Sequence, residues 1–284
     1  MTDQGPWGRR DGVEPDNVVR YEPRPEGKGA PKPPSQPKKA GNGRVTLIVS
    51  TLLMIGFLWF LTGSWIIAGS LMFALFVHEY GHVLAMNRLG MGPATIHVIP
   101  FLGGLAKGKR EPASEWIGVL VSLAGPAFGL LAMLPLVGVW LVTGNVQWIA
   151  AAFFVAMLNL INLVPAPPLD GSKALGPVLA RVHPMLERGV LLAIGVVVVA
   201  WGVMTGRWIL AVFLGLAVLG HLRSGPLRGY GQPLSWGEAG KSLGLTLLTA
   251  AACGGAAVAA LFGITGGDVP GAVDLVGRYL GVRF

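Results

Sequence analysis

The chain has 284 residues, of which 52% are hydrophobic and only 13% charged, and its mean hydropathy is +0.61. Soluble domains carry about 25% charged residues, so this composition excludes an ordinary soluble protein and predicts a polytopic membrane protein. The one cysteine, Cys253, excludes an intramolecular disulfide and a cysteine-based metal site. The net charge of +8 does not indicate a nucleic-acid partner, because the basic residues follow the predicted membrane topology.

The first 44 residues form a predicted disordered cytoplasmic tail. They hold nine basic and six acidic side chains and many prolines and glycines, a composition that cannot bury a core. Such a tail is either a solvated extension that helps to set orientation or a docking segment for an acidic partner or lipid headgroups. Residues 45–265 form the predicted membrane domain, and residues 266–284 a short C-terminal tail.

Seven apolar stretches follow the tail, and the predicted fold is therefore all-α with six to seven transmembrane helices. The fifth and sixth stretches are short, which leaves the lower count open. If the N-terminus is cytoplasmic, 19 of the 22 Lys and Arg residues lie inside, as the positive-inside rule requires. The stretches are Val45–Leu61, Ile66–Met86, Trp116–Val142, Val146–Val164, Gly189–Met204, Trp208–Leu222 and Leu243–Ile264.

The loop between the second and third predicted helices carries a strand-like pattern. Residues 94–99 are β-prone, Pro100 follows, and the pair Gly103-Gly104 permits a turn or bulge. An apolar β-like segment beside a membrane predicts a re-entrant hairpin, which is tolerated where it is buried in protein or lines a wet cavity. A partly buried surface loop is the alternative.

The second predicted helix contains His78-Glu79-Tyr80-Gly81-His82, an H-E-x-x-H sequence in an otherwise apolar run. Ionisable side chains at membrane depth are costly and need a compensating partner. Positions i and i+4 share one helix face, so His78 and His82 can bind one metal ion while Glu79 acts on a water. This pattern predicts a zinc hydrolase site.

A catalytic zinc site takes three protein ligands, and Asp170 is the candidate for the third. It follows Pro165, Pro167 and Pro168 at the inner end of the fourth crossing, where the prolines break the helix. The break can turn the carboxylate back into the bundle, and Gly171 permits a close approach. Asp170 would otherwise be an N-cap of a short helix that begins near Gly171.

These motifs resemble the site-2 protease family of intramembrane zinc metalloproteases. The residues that carry the resemblance are His78-Glu79-Tyr80-Gly81-His82 and residues 162–171, Asn-Leu-Val-Pro-Ala-Pro-Pro-Leu-Asp-Gly, which fit the family pattern N-x-x-P-x-P-x-L-D-G. Gly103-Gly104 and Ala124-Gly125-Pro126 are weaker matches. The resemblance covers about residues 66–175, the expected catalytic core, and no stretch resembles the PDZ or CBS modules of some members.

The resemblance implies one zinc ion per chain, with His78, His82 and Asp170 as ligands and Glu79 as the catalytic base. Asn162, Gly103 and Gly104 are candidates for substrate or oxyanion contacts. For Asn162 the equal alternative is that it braces the broken helix, and Asn159 is expected to form a structural interhelical hydrogen bond. A strand edge between Thr95 and Leu105 would hold an unwound substrate by β-augmentation.

The expected function is therefore hydrolysis of peptide bonds in or near the transmembrane segment of a membrane-anchored protein. A substrate whose membrane helix is locally weakened is the expected partner, and a multi-pass position in a bacterial inner membrane, with the site toward the cytoplasm, is the expected location. Two other classes stay open. They are a catalytically idle relative that acts as a chaperone, and a metal or proton transporter, which also places His and Asp at membrane depth.

Overall fold

The computed structural model describes residues 43–99, 103–206 and 231–280, together with scattered helical positions between 208 and 220. Residues 1–42 of the predicted N-terminal tail and nearly half of the predicted sixth crossing lie outside the described residues. The first helix begins at Gly43 and so includes the last two residues of the predicted tail. The described elements are nine helices and one β-hairpin. They are α1 Gly43–Thr62, α2 Trp65–Arg88, β1 Ala94–Ile99, β2 Gly103–Gly108, α3 Glu115–Leu131, α4 Met133–Thr143, α5 Val146–Asn162, α6 Asp170–Val182, α7 Pro184–Met204, α8 Trp236–Thr265 and α9 Val269–Leu280.

Four helical segments of the described chain are long and apolar enough to cross a membrane: Trp65–Arg88, Glu115–Thr143, Met185–Met204 and Trp236–Thr265. These segments fit a membrane protein. Leu47–Thr62 and Val146–Asn162 are apolar but shorter. The total of six to seven crossings therefore stays a prediction.

Two helices differ from the predicted stretches for local reasons. The third stretch is divided into α3 and α4 at Ala132, whose N–H bonds the carbonyls of Gly129 and Leu130. Helix α8 begins at Trp236, seven residues before the predicted Leu243. Ser235 and Glu238 form a capping box there, which starts the helix in a polar segment that hydropathy alone does not count.

The strand-like loop is an antiparallel hairpin between α2 and α3. Its register pairs Ala94 with Gly108 at the base and Ile99 with Gly103 beside the turn. Successive side chains alternate between two faces. Val98 is buried on one face and packs with Met54 of α1 and Met72 of α2. The hairpin is therefore anchored on the first two helices.

The packing brings four helices together around one point. Helix α2 packs on α3 and α5, and α3 packs on α6. One apolar cluster joins α2, α4, α5 and α8, and includes Ala74, Leu136, Val155 and Ala257. A second joins α3, α6 and α8 through Val119, Ala174 and Ala239. The meeting point of α2, α3, α5 and α6 contains the polar residues described next.

Candidate metal centre

Helix α2 presents His78 and His82 on one face, one turn apart. Both residues are buried, at 2% and 6% exposure, and their Nε2 atoms lie 3.2 Å apart. Glu79, between them in sequence, is also buried at 6%. Tyr80 points away from the group and is exposed. The helical spacing thus brings together the three residues that the motif predicts.

Asp170 reaches the two histidines from the start of α6. Helix α5 ends at Asn162, and the chain turns through residues 163–169 before α6 begins at Asp170. Gly171 is required at this fold-back, because a Cβ at that position would overlap the carbonyl oxygen of Leu163. The Oδ2 atom of Asp170 lies 3.1 Å from His78 Nε2 and 3.2 Å from His82 Nε2. Leu169, rather than Asp170, occupies the N-cap position of α6.

The second ring nitrogen of each histidine is engaged elsewhere. The Nδ1 atom of His82 lies 2.7 Å from the carbonyl oxygen of Val121, which can only accept, so Nδ1–H is the donor. The Nδ1 atom of His78 lies 2.9 Å from Asn159 Oδ1. These bonds leave the two Nε2 atoms available to a metal ion, and metal-binding histidines are commonly held in this way.

The chemistry and spacing of these atoms fit zinc. Three atoms with lone pairs face one another at 3.1–3.2 Å, an arrangement that needs a cation between them, either a proton or a metal ion. Tetrahedral zinc with bonds of about 2.0–2.1 Å separates its ligands by about 3.3 Å. Among the residues that the structure describes, His78, His82 and Asp170 are the group of His, Cys, Asp or Glu side chains able to hold a metal ion.

The surroundings of Asp170 favour its ionised form. Burial by itself would raise the pKa of Asp170, but the neighbouring histidines outweigh burial and hold that pKa well below its usual range. Lys173, one turn along α6, lies 3.9 Å from the other carboxylate oxygen and also favours the ionised form. An ionised carboxylate is the form that binds metal.

Helix α3 closes over the histidines through glycine. A Cβ at Gly125 would overlap His82 Nε2 and stand 2.7 Å from His78 Nε2. A Cβ at Gly81 of α2 would stand 2.6 Å from the carbonyl oxygen of Ala124. Both glycines thus allow the backbones of α2 and α3 to approach at the level of the motif. Residues 124–126 match the family pattern only weakly in sequence, but the structure places Gly125 against the Nε2 atoms of His78 and His82.

The hairpin covers Glu79. A Cβ at Gly104 of β2 would overlap Cγ of Glu79, so the backbone of the hairpin lies directly against this side chain. Gly103 lies farther along, beside Leu75 of α2, with a positive φ of 114° at the turn. The structure therefore brings Gly104 to the candidate catalytic residue and places Gly103 one position nearer the turn.

Asn162 and Asn159 differ from each other in their partners. Asn162 is half-buried, and its amide Nδ2 donates to Leu158 O of its own helix at 3.1 Å. Asn159 forms the interhelical bond to His78. Sequence reasoning expected such a bond for Asn159 but did not identify His78 as its partner. A buried amide one turn before the N-x-x-P motif, in an otherwise apolar helix, was the available signal.

The chain is similar to a protein of Synechocystis sp. that is named "Putative zinc metalloprotease sll0528". The two are 33% identical over 134 residues, which cover 45% of this chain and 35% of that protein. The chain thus matches little more than a third of the length of this relative. No protein-family model and no solved structure matches the chain. This relative is named a zinc metalloprotease, which agrees with the family that the two motifs resemble.

Proposed function

We propose that this protein is an intramembrane zinc metalloprotease of the site-2 protease type. The observation that carries the proposal is the convergence of His78, His82 and Asp170 on one buried point, with the Glu79 carboxylate beside them. The relative named as a zinc metalloprotease supports the same class. The long apolar helices around this point support a site at membrane depth.

The proposed reaction is hydrolysis of a peptide bond by water. When bound to His78, His82 and Asp170, zinc supplies Lewis acidity that activates a water and polarises a carbonyl. Glu79 takes a proton from the attacking water and delivers it to the departing amine, so that a carboxylate and an amine are the products. The backbone of β2 at Gly104 lies against the Glu79 side chain and restricts its position, which orients the carboxylate for this transfer.

The hairpin is the proposed substrate-binding element. A two-stranded sheet leaves strand edges unpaired, and an extended peptide can add to such an edge through backbone hydrogen bonds. Because β2 already contacts Glu79, a peptide held along the hairpin would run close to the catalytic carboxylate. A transmembrane substrate must unwind before it can bind there, which favours segments weakened by Gly or Pro.

The exposed face of the hairpin supports a re-entrant position in the bilayer. Ile99 and Leu105, near the turn, are exposed and apolar. Thr95 and Lys107, which pair at the base, are exposed and polar. The exposed His97 pairs with Leu105 between these two levels. This order fits a turn that points toward the membrane interior along a wet cavity and a base near the headgroups. Together with the distribution of basic residues along the sequence, it supports a site that faces the cytoplasm.

The test of this function is Glu79→Gln in the full chain. Purified protein in lipid nanodiscs is assayed for zinc content and for cleavage of a single-span substrate with a helix-weakened membrane segment. The variant is expected to keep one zinc ion per chain and to lose cleavage by at least about 100-fold, since a general base contributes about 10²–10⁴-fold. Glu111→Gln, the same change at an exposed position outside the site, is the matched control.

Three outcomes contradict the proposal. Wild-type protein that binds zinc but cleaves no substrate in a panel of single-span proteins supports the idle, chaperone-like alternative. Cleavage that survives Glu79→Gln would show that Glu79 is not the general base. Zinc that crosses the vesicle membrane at a rate dependent on His78 supports the transporter alternative.

A further inference from the structure

The buried amide of Asn159 has both of its polar atoms engaged. Asn159 is fully buried in α5. Its Nδ2 donates to the carbonyl oxygen of Val155 at 2.8 Å, and its Oδ1 lies 2.9 Å from Nδ1 of His78. An amide in an apolar helix is unfavourable unless it is hydrogen-bonded, and here the bonds join α5 to the candidate metal centre on α2.

The direction of these hydrogen bonds follows from the Val155 carbonyl. A carbonyl oxygen can only accept, so the atom of Asn159 that faces Val155 is the NH₂ group. The oxygen of the amide therefore faces His78 and can only accept in turn. His78 must carry its proton on Nδ1, and its Nε2 is left with a lone pair that points toward Asp170.

His78 and His82 are held by different kinds of acceptor. The acceptor for His82 is the backbone carbonyl of Val121, which no substitution at that position removes. The acceptor for His78 is a side chain. The tautomer and ring angle of His78 therefore depend on one replaceable residue.

A glycine on α3 makes room for this amide. A Cβ at Gly129 would overlap Oδ1 of Asn159 and stand 2.6 Å from its Cγ and Nδ2 atoms. Glycine inside a helix is less favourable than alanine, so its presence at this buried position needs a local reason. The space that the Asn159 amide occupies supplies that reason.

We propose that Asn159 is a positioning residue that holds His78 with Nε2 as the metal-binding nitrogen, and that Gly129 provides the space in which it does so. This proposal rests on the proposed zinc site. Asn159 acts through His78 and does not itself touch metal or substrate. A residue that hydrogen-bonds the second ring nitrogen of a metal-binding histidine sets the orientation of that histidine and raises the affinity for the metal.

The experiment measures zinc affinity of the purified full chain by competition with a chelator, and records the visible spectrum after cobalt replaces zinc. Asn159→Ala is expected to lower zinc affinity about 10–100-fold and to change the cobalt spectrum. Asn159→Asp keeps an acceptor oxygen and is expected to restore most of that affinity. Gly129→Ala is expected to weaken zinc binding to a similar extent, because its Cβ displaces the amide.

A double variant and a matched glycine sharpen the test. Gly129→Ala combined with Asn159→Ala is expected to bind zinc no more weakly than Asn159→Ala alone, because the two changes disturb one contact. Gly118→Ala lies on the same helix, where a Cβ meets nothing within 4 Å, and is expected to leave zinc affinity unchanged.

The outcomes separate this proposal from the function on which it rests. If wild type binds one zinc ion, His78→Ala loses it, and both Asn159→Ala and Gly129→Ala bind as tightly as wild type, the positioning role is wrong and the zinc site stands. The same conclusion follows if Asn159→Ala lowers only the thermal stability and leaves zinc affinity and the cobalt spectrum unchanged. If His78→Ala binds zinc as tightly as wild type, the proposed site itself fails.

Discussion

Polar side chains are satisfied in two different ways in this molecule, in the outer helices and in the centre. In the outer helices, threonine hydroxyl groups bond to the carbonyl one turn earlier in their own helix, whereas Ser242 of α8 donates to Ala174 O of α6 at 2.8 Å. Thr205, the C-cap residue of α7, donates to Trp201 O at 2.7 Å, and Thr249 of α8 donates to Leu245 O at 2.8 Å. Such a bond needs no neighbouring helix, so the side chain can face any direction without a packing partner.

In the centre, the polar side chains bond to other elements. His82 of α2 bonds to α3, His78 bonds to α5, and both contact Asp170 of α6. Glu79 packs against the hairpin at Gly104. Local bonds leave the helices free to pack by shape alone, whereas the bonds of His78 and His82 fix the relative positions of four helices. Chemistry that depends on geometry is therefore expected in the centre, and the predictions below test that difference.

The largest effect is expected from Asp170→Ala. This change removes one of three proposed ligands. Loss of a ligand's hydrogen-bond partner lowers metal affinity by up to roughly 100-fold, and loss of the ligand itself should lower zinc affinity further. Cleavage should be abolished. Zinc content and cleavage of a single-span substrate are the measurements. Asp268→Ala removes an exposed carboxylate that accepts from Gly271 N–H, and it should leave zinc affinity unchanged. Full zinc occupancy in Asp170→Ala would contradict the ligand assignment.

A somewhat smaller effect is expected from Gly125→Ala. The added Cβ overlaps His82 Nε2 and lies close to His78 Nε2, so it occupies space that a metal ion needs. We expect zinc affinity to fall about 100-fold. Gly118→Ala on the same helix is the control. Unchanged affinity in Gly125→Ala would show that α3 does not close over the metal centre as the structure indicates.

Gly104→Ala is expected to separate catalysis from metal binding. Its Cβ overlaps Glu79 but reaches none of the three proposed ligands among its nearest atoms. Cleavage should fall about 10–100-fold because the base is displaced, while zinc affinity stays within about threefold. Gly56→Ala in α1, where a Cβ meets nothing within 4 Å, is the control. Equal losses of zinc and of cleavage would mean that the hairpin supports the whole centre rather than Glu79.

Helices and motifs were predictable from the sequence because they depend on local spacing. The H-E-x-x-H spacing predicts that His78 and His82 share a face, and the prolines after Asn162 predict the break that turns the chain back toward Asp170. The β-prone residues 94–99 likewise form a strand. Each of these inferences needs only residues within about ten positions of one another.

Contacts between helices were not predictable in the same way. The relation of Gly129 to Asn159, and of Gly125 to His82, depends on how α3 crosses its neighbours, which no local pattern records. Asn159 and Asn162 are alike in type and one turn apart, yet only their rotation about α5 decides which one faces His78. Apolar composition also hid the joint at Ala132, because both halves of that stretch have the same pattern.

The smallest effect is expected from Thr249→Val in α8. Valine has nearly the shape of threonine, and the change removes only the local bond to Leu245 O. The shift in the midpoint of thermal unfolding should correspond to a change of less than about 0.5 kcal/mol in the free energy of unfolding. Zinc affinity and cleavage should match wild type. A loss of zinc from this variant would mean that the outer helix is coupled to the centre as tightly as α3 and α5 are. The distinction between local and shared hydrogen bonds would then fail to separate the two regions.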